Sequence, residues 1–138
     1  MARVNETKVL KSSADEVWAL IGGFDALPHW HPAVQSSALE ADGRIRRLKL
    51  VNGASLVERL QAFSEAERSY TYSIEQGPLP VARYRSLLRV HDRPGEGGCS
   101  VEWSGEFSPE GASEPEAVDI IRGIYRAGLD QLSQRFGH

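Results

Sequence analysis

The C-terminal stretch "SEPEAVDIIRGIYRAGLDQLSQRF", residues 113–136, decides the fold class. Ser113 and Glu116 have the spacing of a capping box, in which each side chain bonds the free backbone N–H of the other residue. Apolar residues then recur every three or four positions, as on one face of an α-helix: Val118, Ile121, Tyr125, Leu129, Leu132 and Phe136. About 22 residues with a 1.5 Å rise give a helix about 33 Å long, which can cross a whole β-sheet.

The chain before this helix alternates in the manner of β-strands. Strands are predicted at residues 3–11, 44–50, 54–63, 69–75, 81–92 and 99–107. Pro32 forces a further extended segment, which precedes the strand at 44–50. Ser13 and Glu16 open a short helix that ends at Gly22, and a second helical turn is predicted at 25–30. This order predicts an α+β fold, with a curved antiparallel seven-stranded sheet wrapped around the long helix and two short helices after strand 1.

The hairpin around Val51-Asn52-Gly53 has a register that can be predicted from its leucines. A three-residue loop with Gly53 in the left-handed region sets Leu48 opposite Leu56 and Arg46 opposite Glu58. That register gathers four leucines on one face: Leu48, Leu50, Leu56 and Leu60. It therefore also predicts an inward-facing Arg46–Glu58 ion pair.

Length and charge narrow the classes of function. The 138 residues fit a single domain, residues 1–138, and the net charge of -3 argues against a nucleic-acid partner. The single cysteine, Cys99, cannot form an intramolecular disulfide, which favours a reducing compartment. No segment has the length of apolar sequence expected of a membrane span or a signal peptide, so a cytoplasmic location is predicted. The sequence leaves a homodimer open.

The segment "FDALPHWHPAV", residues 24–34, places two histidines around Trp30. A metal bound by His29 and His31 would need a third ligand, for which Glu58 and His91 are candidates, but no recognised ligand spacing accompanies them. We therefore expect no metal and no cofactor, with His31 facing the interior and His29 facing solvent. The chain also lacks a nucleophile elbow, a Walker loop and a dinucleotide fingerprint.

Three stretches carry a family resemblance: "ADEVWALIGGFDALPHWHPAV" (14–34), "VERLQAFSEAERSYTYSIEQGPLPVARYRSLLRVH" (57–91) and "VEWSGEFSPEG" (101–111). Together they resemble the START-like, or SRPBCC, superfamily of the birch-pollen allergen, plant abscisic-acid receptors and bacterial polyketide cyclase/dehydrase-like proteins. The resemblance implies a helix-grip fold whose cavity holds a small hydrophobic molecule. We expect a pocket of several hundred Å³.

The resemblance also implies the residues of the site. The ligand-anchoring lysine of the receptors falls at His31, and their polar positions fall at Glu58, Tyr84, Ser86 and Glu102. The apolar wall falls at Leu48, Leu50, Tyr72 and Ile74, with Ile120, Ile124 and Gly128 from the final helix. Trp30, Arg46 and Leu56 complete the predicted lining.

Two features of the sequence bear on that assignment. Strand alternation alone places Glu102 on the outer face, whereas the resemblance places it inside, and we follow the resemblance. The loops VNG and GPLPV differ from those of the hormone receptors, which favours a less acidic ligand.

The alternative function is a cyclase or dehydratase that uses His31, Glu58 and Tyr84 as acid–base groups.

Overall fold

The predicted strands and helices are present, and all seven strands join in one antiparallel sheet. The computed structural model describes residues 1–137. The elements are β1 Ala2–Leu10, α1 Ala14–Ile21, β2 Val34–Glu40, β3 Ile45–Leu50, β4 Ser55–Ser64, β5 Ser69–Gln76, β6 Val81–Asp92, β7 Cys99–Pro109 and α2 Glu114–Phe136. The strand order is β1-β7-β6-β5-β4-β3-β2, so β1 and β2 form the two edges.

Both α-helices begin where the sequence predicts. The Ser113 and Glu116 side chains each bond the other residue's backbone N–H, which completes the capping box of α2. At α1 the Ser13 hydroxyl accepts the Glu16 N–H at 3.2 Å. The second short helix after β1 is a 3-10 turn at Leu27–His29, and a further 3-10 turn at Ala41–Gly43 joins β2 to β3.

The β3–β4 hairpin has the predicted register. Leu48 pairs with Leu56 and Arg46 pairs with Glu58. Gly53 has φ +92°, in the left-handed region that a residue with a side chain rarely adopts. The three-residue loop is therefore confirmed, and it fixes which side chains of both strands point toward α2.

The curved sheet buries its inner face against α2, which packs mainly on β1 and β7. The helix buries one stripe along its length: Ala117, Ile121, Tyr125, Gly128, Leu129, Leu132 and Ser133. Register shifts in β2, β4 and β6 interrupt the ladders, and such bulges bend strands. Because α2 packs over β1 and β7, the helix leaves the inner face of β3–β5 less covered. Across residues 1–137 there is no helix both long and apolar enough to cross a membrane.

Candidate functional site

A partly open, mainly apolar pocket lies between α2 and the inner faces of β3–β6, and its volume is about 70 Å³. Nine of the predicted site residues line it: His31, Leu48, Leu50, Leu56, Glu58, Tyr72, Ile74, Tyr84 and Ile124. Five further residues that were not predicted complete the wall: Leu27, Ala33, Val34, Leu79 and Trp103. Strand alternation already places Trp103 inward, whereas Leu79 lies in a loop between two prolines, where no periodicity identifies it.

The expected volume of several hundred Å³ is wrong, because aromatic side chains fill most of the space between sheet and helix. The Trp103 ring stacks on Tyr125 with centroids 4.6 Å apart, and Trp30 lies 5.5 Å from Trp103. Trp30 was predicted to line the cavity and Tyr125 was not predicted as a site residue, and both fill the interior behind the pocket wall. Trp103 fills part of the interior and also lines the pocket. For scale, a dry cavity of about 150 Å³ binds benzene.

Gly128 is a site of close packing. A Cβ atom at this position would lie 2.8 Å from the His31 ring and 2.9 Å from the rings of Trp30 and Trp103. The absence of a side chain at Gly128 therefore lets three rings approach α2. Gly128 and Trp30 thus stand behind the pocket wall, outside the pocket itself.

The Arg46–Glu58 pair is buried beside the pocket, as the hairpin register predicts. The Arg46 side chain is 0% exposed and that of Glu58 is 6% exposed. Arg46 Nε donates to Glu58 Oε1 at 2.8 Å, and Nη1 donates to the Phe24 carbonyl at 3.0 Å and the Tyr70 hydroxyl at 3.2 Å. The guanidinium also lies 4.3 Å from the Phe24 ring centroid and 4.7 Å from that of Tyr72.

Burial sets the electrostatics of this pair. Burial raises the pKa of the Glu58 carboxyl, and the Arg46 charge opposes that rise. Arg46 remains a cation at any ordinary pH, so we assign Glu58 as the carboxylate that neutralises it. Glu58 lines the pocket while Arg46 stands behind it, so the pair presents its acidic partner to the pocket.

A hydrogen-bonded group of hydroxyls adjoins Glu58. The Tyr84 and Tyr125 hydroxyls bond each other, Tyr125 bonds Ser86 Oγ at 3.0 Å, and Trp103 Nε1 donates to both Ser86 Oγ and the Tyr72 hydroxyl at 3.1 Å. Burial raises the pKa of Tyr72 and of Tyr84 well above the usual value, so both keep their protons at neutral pH. Ser86 belongs to this network, outside the pocket lining.

His31 is held by the backbone on both sides of its ring. Nδ1 accepts the Ala33 N–H at 3.1 Å, so Nε2 carries the proton and donates to the Ile124 carbonyl at 2.8 Å. Burial lowers the pKa of His31, which keeps the ring neutral. His31 is 3% exposed and His29 is exposed, as expected for the two histidines. Since both nitrogens are bonded, the ring has no site left for a proton from a substrate.

Two predicted lining residues lie elsewhere, and these predictions are wrong. Glu102 lies on the outer face of β7, where its carboxylate accepts from Asn5 at 3.1 Å and bonds His91 Nε2 at 2.8 Å. Strand alternation was correct here, because Trp103 takes the inward position. Ile120 is 43% exposed, since the buried stripe of α2 passes through Ile121.

Other features of the surface are poorer candidates. A hollow of about 340 Å³ on the outer face of the sheet is larger, but it is more open and its wall includes the charged residues Arg3, Arg85, Glu102 and Glu106. Within residues 1–137, no three side chains of His, Cys, Asp or Glu come together as a metal site. The apolar pocket beside Glu58 is therefore the candidate site.

Comparisons with known proteins agree with this fold. The family profile for polyketide cyclase / dehydrase and lipid transport matches residues 1–137. The MLP-like protein 423 of Arabidopsis thaliana is 31% identical over 110 residues, which span 71% of this chain and 70% of that protein. The structure of XoxI from Bacillus cereus superposes with a TM-score of 0.96 at 42% identity, covering 99% of this chain and 96% of XoxI. A START superfamily protein from Mycobacterium smegmatis shares the fold, with a TM-score of 0.78 at 16% identity over 97% of this chain and 96% of its own.

Proposed function

Because the chain belongs to the polyketide cyclase / dehydrase and lipid transport family, we propose that it binds a small hydrophobic or amphipathic molecule in the pocket beside Glu58. The observation that carries the proposal is the contrast within that pocket: a wall of leucine, isoleucine and aromatic side chains surrounds one buried carboxylate. Pockets of this kind use the apolar wall for affinity and the few polar groups for orientation.

The ligand must enlarge the pocket in order to enter. A volume of about 70 Å³ is less than half of the roughly 150 Å³ that accommodates benzene. Leu50, Leu79 and Ile124 line the pocket and are only partly buried, so they are the side chains that can move with the least loss of packing. Leu79 also lies in the loop between β5 and β6, where no strand ladder holds the backbone.

The cyclase or dehydratase alternative receives less support. It requires His31 to take up or release a proton, yet both ring nitrogens are bonded to backbone groups. Glu58 is paired with Arg46 through Oε1. These groups are arranged to hold a ligand in place more than to exchange protons with it.

The proposal is tested by filling the pocket. Ala33 lines it, and an Ala33→Leu substitution adds three carbon atoms at its wall. Native mass spectrometry of the protein purified from its own host should show a small-molecule adduct on the wild-type chain and at least a fivefold lower adduct fraction on this variant. Ala38→Leu, the same substitution on the exposed part of β2, is the matched control and should keep the adduct.

The opposite results would contradict the proposal. Equal adduct on the wild type and Ala33→Leu would place the ligand elsewhere. A wild-type protein that carries no adduct, and that takes up no hydrophobic probe when one is added, would exclude the binding function.

A further inference from the structure

One oxygen of the buried Glu58 carboxylate has no partner. Arg46 Nε and Nη2 both reach Oε1, at 2.8 and 2.7 Å. Within residues 1–137, both bonds to this carboxylate end on Oε1, and Oε2 takes part in neither. Since Glu58 lines the pocket, the pocket contains an unused, negatively charged acceptor.

The Tyr84 hydroxyl already donates its proton in a hydrogen bond, because the donor and acceptor of each bond in the hydroxyl network can be assigned in turn. A carbonyl oxygen can only accept, so the 2.8 Å contact of Ser86 Oγ with Ser104 O uses the Ser86 proton. Ser86 must then accept from Tyr125, and Tyr125 must accept from Tyr84. The Tyr84 oxygen is therefore left as an acceptor.

The proton of Tyr72, in contrast, is uncommitted. The Tyr72 oxygen accepts from Trp103 Nε1 at 3.1 Å. Within the described residues, the hydrogen bond accepted from Trp103 is the only one that the Tyr72 hydroxyl forms. Tyr72 also lines the pocket, so it supplies a free O–H donor there.

The pocket lining contains no free cation that could pair with an acidic ligand. Its lining includes no lysine or arginine, and His31 is neutral with both nitrogens bonded. Arg46 is occupied by Glu58 and stands behind the wall. A ligand carboxylate would therefore lie beside the Glu58 carboxylate without a cation of its own, since Arg46 is already paired with Glu58, and an unpaired charge is costly in a buried site.

On this geometry we propose that the pocket selects neutral, hydroxyl-bearing hydrophobic molecules, alcohols or phenols, over carboxylic acids. The ligand hydroxyl donates to Glu58 Oε2 and accepts from the Tyr72 O–H, so each unused group gains a partner. This inference rests on the proposed binding function and adds to it the chemical class of the ligand.

A matched set of three probes tests the inference on the intact protein: 2-naphthol, 2-naphthoate and 2-methylnaphthalene. They share one ring system, and at pH 7 they present a neutral hydroxyl, a carboxylate and no polar group. Equilibrium dialysis of each probe against the wild-type protein should give the tightest binding for 2-naphthol, by about tenfold or more over 2-naphthoate, as expected for a hydrogen bond to a charged acceptor.

Two variants assign the selectivity to named groups. Glu58→Gln replaces the free acceptor by an amide that can donate, so the preference for 2-naphthol over 2-naphthoate should fall at least tenfold. Tyr72→Phe should weaken 2-naphthol severalfold and leave 2-methylnaphthalene unchanged. Glu102→Gln, the same amide substitution on the outer face, should retain the wild-type preference.

The results of these experiments distinguish the proposed ligand class from the binding function on which it rests. If all three probes bind and 2-naphthoate binds as tightly as 2-naphthol, the inference is overturned and the binding function stands. If none of the three binds, both are overturned. If Glu58→Gln folds and keeps full selectivity, the assignment to Glu58 is overturned.

Discussion

At the scale of single residues, Arg46 is the least ordinary side chain in the molecule. A fully buried guanidinium is surrounded by three aromatic rings and neutralised by one carboxylate. Replacing such a pair by apolar residues of similar volume is often neutral, whereas removing one partner leaves a buried charge uncompensated. The pair is therefore poorly explained by stability alone, and under the proposed function its role is to present an acceptor to the pocket.

This account predicts an asymmetric mutant cycle at the Arg46–Glu58 pair. Glu58→Leu alone should lower the free energy of unfolding by about 3–5 kcal/mol, because the Arg46 charge is then unpaired. Arg46→Met/Glu58→Leu should lie within about 2 kcal/mol of wild type, the remaining loss reflecting the donors withdrawn from the Phe24 carbonyl and the Tyr70 hydroxyl. Urea unfolding followed by tryptophan fluorescence measures both. A double variant as unstable as the single variant would show that Arg46 stabilises the core by itself.

At the scale of elements, α2 contains two glycines in opposite environments. A Cβ atom at Gly123 would point into open space, whereas at Gly128 it would meet three aromatic rings at 2.8–2.9 Å. Glycine costs a helix about 1 kcal/mol relative to alanine, so only the packing at Gly128 requires it. The same substitution should therefore change stability in opposite directions at the two positions.

Gly123→Ala should raise the free energy of unfolding by about 0.5–1 kcal/mol. Gly128→Ala should lower it by about 1–3 kcal/mol, since the gain in helix propensity is outweighed by overpacking against the rings of Trp30, His31 and Trp103. Thermal unfolding followed by circular dichroism distinguishes the two. If both substitutions were stabilising, the three rings would have to move aside at little cost, and the packing around Gly128 would not be tight.

Elements were predictable from the sequence where short-range rules decide them. The capping box of Ser113 and Glu116, the left-handed Gly53 and the Arg46–Glu58 register all follow from local spacing. Glu102 was predicted wrongly because a resemblance was preferred to strand alternation. It lies on the outer face of the sheet, where it bonds His91 of β6. Local rules are reliable for which face a strand residue occupies, because the period of a strand is two.

At the scale of the whole molecule, the amount of free interior space was not predictable. Which residues face the inside follows from periodicity, but whether they surround a cavity or fill it depends on how Trp30, Trp103 and Tyr125 orient against one another. The sheet and helix therefore define an enclosure of fixed position, and aromatic packing sets its volume at about 70 Å³.

The central claim is that this enclosure is the binding site, and mapping a bound probe onto the backbone amides tests it most directly. In a titration of the 15N-labelled protein with 2-naphthol, the largest amide chemical-shift changes should fall on the pocket wall, at Leu48, Leu56, Ile74, Leu79 and Ile124. Changes centred on Arg85 and Glu102 on the outer face of the sheet, or no saturable changes at all, would contradict the account.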